Sequence, residues 1–243
     1  MDFTLNDDQL ELKQAAHAWL ADRFPLDRDW ETQDDHWSEL EELGWLDVAE
    51  AGLGFVEEAL LLEELGYVCY PGFYLGHVAS ITGDSGTATV DSTRPLWPVE
   101  ETPRFRAAAA AEALGVAQRA LDLGVEHAKT RVQFEKPIGT YQAISHPLAQ
   151  TYTDVELSRS LVYWAAWCVA EEDERAPLAA AAAKAFATEA AVVACERSIQ
   201  VHGGIGFTWE HPLHRFYKRA IWLEGFGKRP ADLRLEVADS LLA

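Results

Sequence analysis

The chain has 243 residues, 49% of them apolar and 11% aromatic, enough to bury a sizeable core and too apolar for a disordered protein. Forty acidic residues against 20 basic ones leave a net charge of −20, which argues against a nucleic-acid backbone or an anionic membrane surface as partner. Cys69, Cys168 and Cys195 have no metal-ligand spacing and read as small buried residues of a reducing compartment. With no basic-then-apolar leader and no apolar run near the ~20 residues of a membrane span, the expectation is a cytoplasmic protein.

The first 66 residues read as helices. Asn6 with Gln9 at the third helical position forms a capping-box pattern ahead of Leu10, Leu12, Ala16, Trp19 and Leu20. A second helix carries Trp37, Leu40 and Leu43 and stops at Gly44; a third covers residues 55–65 and ends at Gly66. From residue 67 to about 102 Gly, Pro, Ser and Thr become frequent, and residues 79–83 and 87–91 read as short extended pieces at best. Beyond this connector the helical period returns. One long helix spans 106–130, with Leu114, Leu121, Val125 and Ala128 on a face, and a second spans about 148–170 after Pro147, which begins or kinks it. A third starts at Pro177 and runs to about Gln200, followed by shorter helices at 211–223 and 231–242. Alanine-rich faces suit a close-packed bundle.

Two strings carry the chemistry. In Arg131-Val-Gln-Phe-Glu-Lys-Pro-Ile-Gly139, followed by Gln142 and His146, the guanidinium offers a planar fork to phosphate oxygens; it is equally suited to helix C-terminal carbonyls. In Gln200-Val-His-Gly-Gly-Ile-Gly-Phe207 the glycines read either as a helix stop or as bare backbone that a diphosphate can approach, with the Gln200 amide able to bond a phosphate or the adenine portion. The two strings lie some 70 residues apart, with Glu210, Pro212 and Arg219 downstream.

Together these strings resemble signatures of the C-terminal helical domain of flavin-dependent acyl-CoA dehydrogenases. The likeness is strong over 106–225, moderate over the N-terminal helices and slight over 67–105. It implies a mainly α fold with an N-terminal helical domain (1–66), a reduced connector (67–105) and a C-terminal bundle (106–243). The family's middle β-barrel needs roughly 70 residues, and about 35 are present here, so it is missing or strongly reduced. Residues 49–54 resemble a shortened form of the family's glycine-rich connection.

The resemblance also implies α,β-dehydrogenation of an acyl-CoA, in which a carboxylate takes the α-proton while hydride passes to flavin N5. Arg131, Phe134, Gln200, Gly203 and Gly204 are then the FAD-binding residues, reaching across an interface to a cofactor shared with a partner subunit. The family keeps its catalytic glutamate at one of two positions, and here these hold Phe105 and Gly227, so no residue of this chain is expected to be the base. A homologous full-length subunit in an α2β2 heterotetramer would supply it, as in heteromeric enzymes of steroid side-chain breakdown. Two alternatives stay open: a homomeric enzyme using Glu224, and a flavin-free binding, scaffold or lyase protein on the same fold. Glu224 otherwise reads as a helix-end carboxylate, Glu112 as a bundle or interface charge and Arg159 as half of a buried ion pair. His202, His211 and His214 lack metal spacing and an identifiable carboxylate partner.

Overall fold

Helix α5 (Pro103–Thr130) is the axis of the molecule, because every residue from 105 to 117 is buried and five consecutive alanines, 107–111, let neighbours approach from all sides. Thr102 caps it, its Oγ1 accepting the Phe105 N–H at 3.1 Å, and Pro103 occupies the first turn, where its missing N–H costs nothing. Around it pack α3 (Phe55–Tyr67), α6 (Gln142–Ala170), α7 (Ala176–His202) and α8 (Leu213–Gly225). Helices α1 (Asp7–Arg23), α2 (Trp37–Glu42) and α4 (Tyr74–Val78) complete the N-terminal side, and α9 (Pro230–Leu242) lies on α7 through Leu233, Ala181 and Ala185. The computed structural model describes residues 4–30, 34–48, 50, 52–78 and 100–242.

The mainly α expectation holds. Among the described residues the strands are the two-residue pieces β1 (Val132–Gln133) and β2 (Lys136–Pro137), paired antiparallel. The expected extended pieces at 79–83 and 87–91 lie outside the described residues, but the whole interval from 79 to 102 is far shorter than the roughly 70 residues a barrel needs. The capping box of Asn6 and Gln9 is present, and Gly44 takes φ 73° just past α2 as expected.

Gly66 is a correction. It does not end α3, which continues to Tyr67 with Val68 as C-cap. The left-handed position falls on Cys69 (φ 51°), whose N–H bonds Gly66 O while Tyr70 N–H bonds Leu65 O, a Schellman closure without glycine. Gly66 serves the crossing with α5 instead: a Cβ there would sit 2.1 Å from Glu112 O, and one on Gly115 would sit 1.8 Å from Glu63 O. These two glycines let α3 and α5 touch backbone to backbone.

The start of α6 is another correction. Helix α6 begins six residues earlier than expected, at Gln142, with Pro147 inside it. One ladder bond near the helix end is lost, and the packing of Ile144 and Leu148 against the core offsets it. Helix α7 is long and apolar enough by composition to cross a membrane, contrary to the expectation that no segment is, yet 67% of its apolar window is buried in the bundle. Most of its alanines from Ala179 to Ala194 are buried in the bundle, and Ala181 and Ala185 are covered by α9.

Candidate functional site

The C-terminal end of α5 runs directly into the first string. Arg131 is its C-cap, donating its N–H to His127 O at 2.9 Å, and the chain then turns in a hairpin pairing Val132 with Pro137 and Gln133 with Lys136. The two turn residues, Phe134 (φ 51°) and Glu135 (φ 68°), both occupy the left-handed region, the pattern of a type I′ turn. That turn normally takes Asn-Gly, so two full side chains store strain here. The hairpin is tied down around its base. Ile138 N–H bonds Arg131 O at 2.9 Å, Tyr141 Oη donates to Gln133 O at 3.2 Å, and Lys136 Nζ lies 4.4 Å from the Tyr141 ring centre. Phe134 consequently projects into solvent, 85% exposed, touched edge-on by Tyr141. Beneath the hairpin is an apolar cleft of about 370 Å³ lined by Val125, Ala128, Pro137 and Leu148, with Lys129 at its side.

The second string arrives at the same end of the bundle. Helix α7 stops at Gly203 (φ 66°), and a Cβ on Gly203 or on Gly204 would meet open space. The rings of His127 and His202 stack at 4.2 Å, one turn before Arg131 and one residue before Gly203, and so join the ends of α5 and α7. The Gln200 and Arg131 side chains are exposed, and among the described residues neither makes a hydrogen bond or ion pair. The helix-capping reading of Arg131 therefore has no bond behind it. In a chain of net charge −20, an uncommitted guanidinium beside an uncommitted amide and bare glycine backbone is a donor set for an anion with several oxygens. A dinucleotide diphosphate fits that set.

The two positions where the resemblance looks for a base lie together in space. A Cβ built on Gly227 (φ 78°) would be 2.9 Å from the Phe105 ring. Phe105 is fully buried, edge-on to Phe226 at 5.3 Å. The same Cβ would sit 2.0 Å from Glu101 Oε1 and 3.0 Å from Lys184 Nζ. Glu101 is thus a carboxylate at this spot that the sequence reading missed. It is committed, accepting from Arg106 Nε at 2.8 Å and from Lys228 N–H at 2.5 Å. Lys184 donates to Phe226 O at 2.6 Å and Lys228 O at 3.0 Å; burial, opposed by Glu101, brings its ammonium down to about 8. Nothing in the sequence signals this cluster, since Glu101 and Lys228 are joined only by the fold.

Glu224 is elsewhere on α8. Its carboxyl is raised by burial and then by the like charges of Glu189 and Glu196. Glu112 is buried and pairs with Arg219 at 2.6 Å, so it is a bundle charge. Arg159 pairs with Glu63, as its place in an apolar stripe suggested. His211 lies 4.4 Å from His202, and His214 donates from Nδ1 to His211 O at 2.9 Å; among the described residues no group of His, Cys, Asp or Glu has the arrangement of a metal site.

Residues 99–227 match the family description "Acyl-CoA dehydrogenase, C-terminal domain", and residues 6–89 match "Acyl-CoA dehydrogenase, N-terminal domain". The chain belongs to the acyl-CoA dehydrogenase family, whose members are FAD-dependent. Acyl-CoA dehydrogenase IpdE2 of Mycobacterium tuberculosis is 42% identical over 133 residues, which cover 54% of this chain and 39% of that protein. The chain thus spans well under half the length of this relative. Among solved structures, the Tcur3481-Tcur3483 steroid ACAD G363A variant superposes with a TM-score of 0.79 at 23% identity, covering 98% of this chain and 99% of that one. The ChsE4-ChsE5 complex from Mycobacterium tuberculosis gives 0.78 at 21% identity, covering 100% and 99%. At these identities the superpositions establish the fold.

Proposed function

We propose that this chain is one subunit of a heteromeric FAD-dependent acyl-CoA dehydrogenase, contributing half of the flavin site and no catalytic base. The observation that carries the reading is the pair of arms at one end of the bundle: Arg131 and Gln200 exposed and uncommitted beside the open backbone of Gly203 and Gly204. In this reading Arg131 and Gln200 bond the diphosphate, Gly203 and Gly204 admit it to the backbone, and Phe134 reaches over the nucleotide. The bound flavin supplies the hydride acceptor; this chain's residues hold and orient it. A homologous full-length subunit supplies the β-domain, the glutamate and most of the acyl-CoA pocket, in an α2β2 assembly. The division into helical domains at 1–66 and 106–243 around a reduced connector belongs to the same reading. The likeness to a steroid ACAD and to the two-protein ChsE4-ChsE5 complex supports both the partner and a bulky steroid-type CoA ester as substrate.

The test is purification with and without a co-expressed partner dehydrogenase, followed by a visible spectrum. An interface-bound flavin loses much of its contact area when one wall is removed while the ordering cost stays the same. The chain alone is therefore expected to emerge colourless and the complex yellow. Stoichiometric FAD on the isolated chain overturns the shared site.

Glu224→Gln in the assembled complex tests the absence of a base. The change keeps shape and hydrogen bonding and removes basicity. Loss of a true general base lowers the chemical rate by about 10²–10⁴, whereas a carboxylate held among Glu189 and Glu196 is expected to show less than about a tenfold change. An inactive Gln variant that still holds FAD and its partner assigns the base to this chain.

A further inference from the structure

Between the two arms lies a group of rings that the proposed binding of flavin does not use. His127 from α5 and His202 from α7 stack at 4.2 Å, and His211, just before α8, packs on His202 at 4.4 Å. Three elements therefore place three imidazoles in a row beside Arg131 and Gly203. The hydrogen bonds fix how they take a proton. His202 Nδ1 donates to Ser198 O at 2.8 Å, which leaves Nε2 as its basic nitrogen. His211 Nδ1 accepts the Leu213 N–H at 3.3 Å, so protonation there breaks a bond. His127 makes no side-chain hydrogen bond among the described residues.

The charges facing the row are cationic. They are Arg131, the C-cap of α5, beside His127; Arg215 and Lys218 on α8 lie around His214, the next ring beyond the row. Glu210 adjoins His211 in sequence but bonds Thr208. Helix α6 contributes apolar contact there, since a Cβ on Gly124 would meet Leu148 and Ser198. Burial, then the neighbouring rings, lowers His211 to about 4. His127 is lowered by burial, then by His202 and Arg131; His202 is lowered by burial against its bond to Ser198 O. Without an anion the stack stays neutral, because a second cation beside Arg131 is unfavourable. A diphosphate on the arms reverses the local sign of charge.

We propose that the His127–His202 stack is a proton-linked part of the dinucleotide site: binding of the diphosphate draws a proton from solvent onto the stack, and affinity rises as pH falls. This rests on the reading of Arg131, Gln200 and Gly203 as diphosphate ligands. The sign follows from linkage. A histidine whose bound-state pKa exceeds its free-state pKa favours binding below the bound value and contributes nothing well above it.

The experiment measures FAD affinity of the co-expressed complex by flavin fluorescence from about pH 6 to about pH 8, a range centred on histidine titration. Wild type is expected to bind about threefold to tenfold more tightly at the acid end, partial uptake against a one-proton ceiling of about 100-fold over two pH units. Calorimetry in two buffers of different ionisation enthalpy should show net proton uptake. The His127→Gln, His202→Gln double variant, which retains a donor for Ser198 O, is expected to show a flat profile and no uptake. Circular dichroism confirms that it is folded, and the single variants provide the comparison if it is not. An equal pH slope in wild type and variants, or no proton uptake by wild type, overturns the proposal and leaves the flavin arms standing. If Arg131→Ala also fails to weaken FAD at any pH, the arms fall with it.

Discussion

Glu63→Ala is expected to destabilise the fold by about 3 kcal/mol, because it removes the anion from a buried cationic site. Glu63 keeps 4% of its side-chain surface and is reached by Lys13 Nζ at 2.5 Å, by the Arg159 guanidinium and by Tyr163 Oη at 2.8 Å. Breaking such a pair costs about 3–5 kcal/mol in well-buried sites. The lower end applies here since Lys13 and Arg159 retain 21% and 23% of their side-chain surfaces and recover some hydration. For a chain of this size the melting temperature should fall by about 6–12 °C. Burial pushes the Glu63 carboxyl up, but Lys13 and Arg159 outweigh it and hold it below its ordinary value. The stabilisation is therefore complete above the unfolded carboxylate pKa and is lost as pH falls through the lower, folded one. Thermal melts at neutral and acid pH check both points. Equal melting temperatures for variant and wild type at neutral pH would show the network to be dispensable.

Arg131→Ala is expected to weaken FAD binding by the assembled complex about 10- to 150-fold, the equivalent of a charge-assisted phosphate contact of about 1.5–3 kcal/mol. Stability should be nearly unchanged. The side chain is exposed and bonds nothing among the described residues, so its removal leaves no buried group unsatisfied. Arg131→Lys should recover only part of the affinity, since a point charge cannot reproduce a planar fork. Flavin content after gel filtration, read beside the melting temperature, separates loss of ligand from loss of fold. Full retention of FAD by the alanine variant removes Arg131 from the site.

Much of the bundle could be read from sequence because its determinants are local. Helix periods, the Asn6 cap, Pro177 at a first turn and the stop at Gly44 each depend on residues within a few positions. Gly66 could not be read that way. A glycine near a helix end looks like a stop, and only the approach of Glu112, 46 positions later, turns it into a crossing point. The start of α6 was misplaced for the same reason: local rules begin or kink a helix at proline, while packing of Ile144 and Leu148 carries α6 past it.

The sequence by itself determined the family, the mainly α fold, the shortness of the middle segment and the two strings that bear Arg131, Phe134, Gln200, Gly203 and Gly204. Each of these is a matter of residue type and spacing along the chain. Only the tertiary structure decided that both strings end at one place, that Phe105 and Gly227 meet over Glu101 and Lys184, and that His127 stacks on His202. Such pairings join positions about 40 to 130 residues apart. They are set by how helices α5, α7 and α8 pack side by side, and no short-range pattern in the sequence encodes that arrangement.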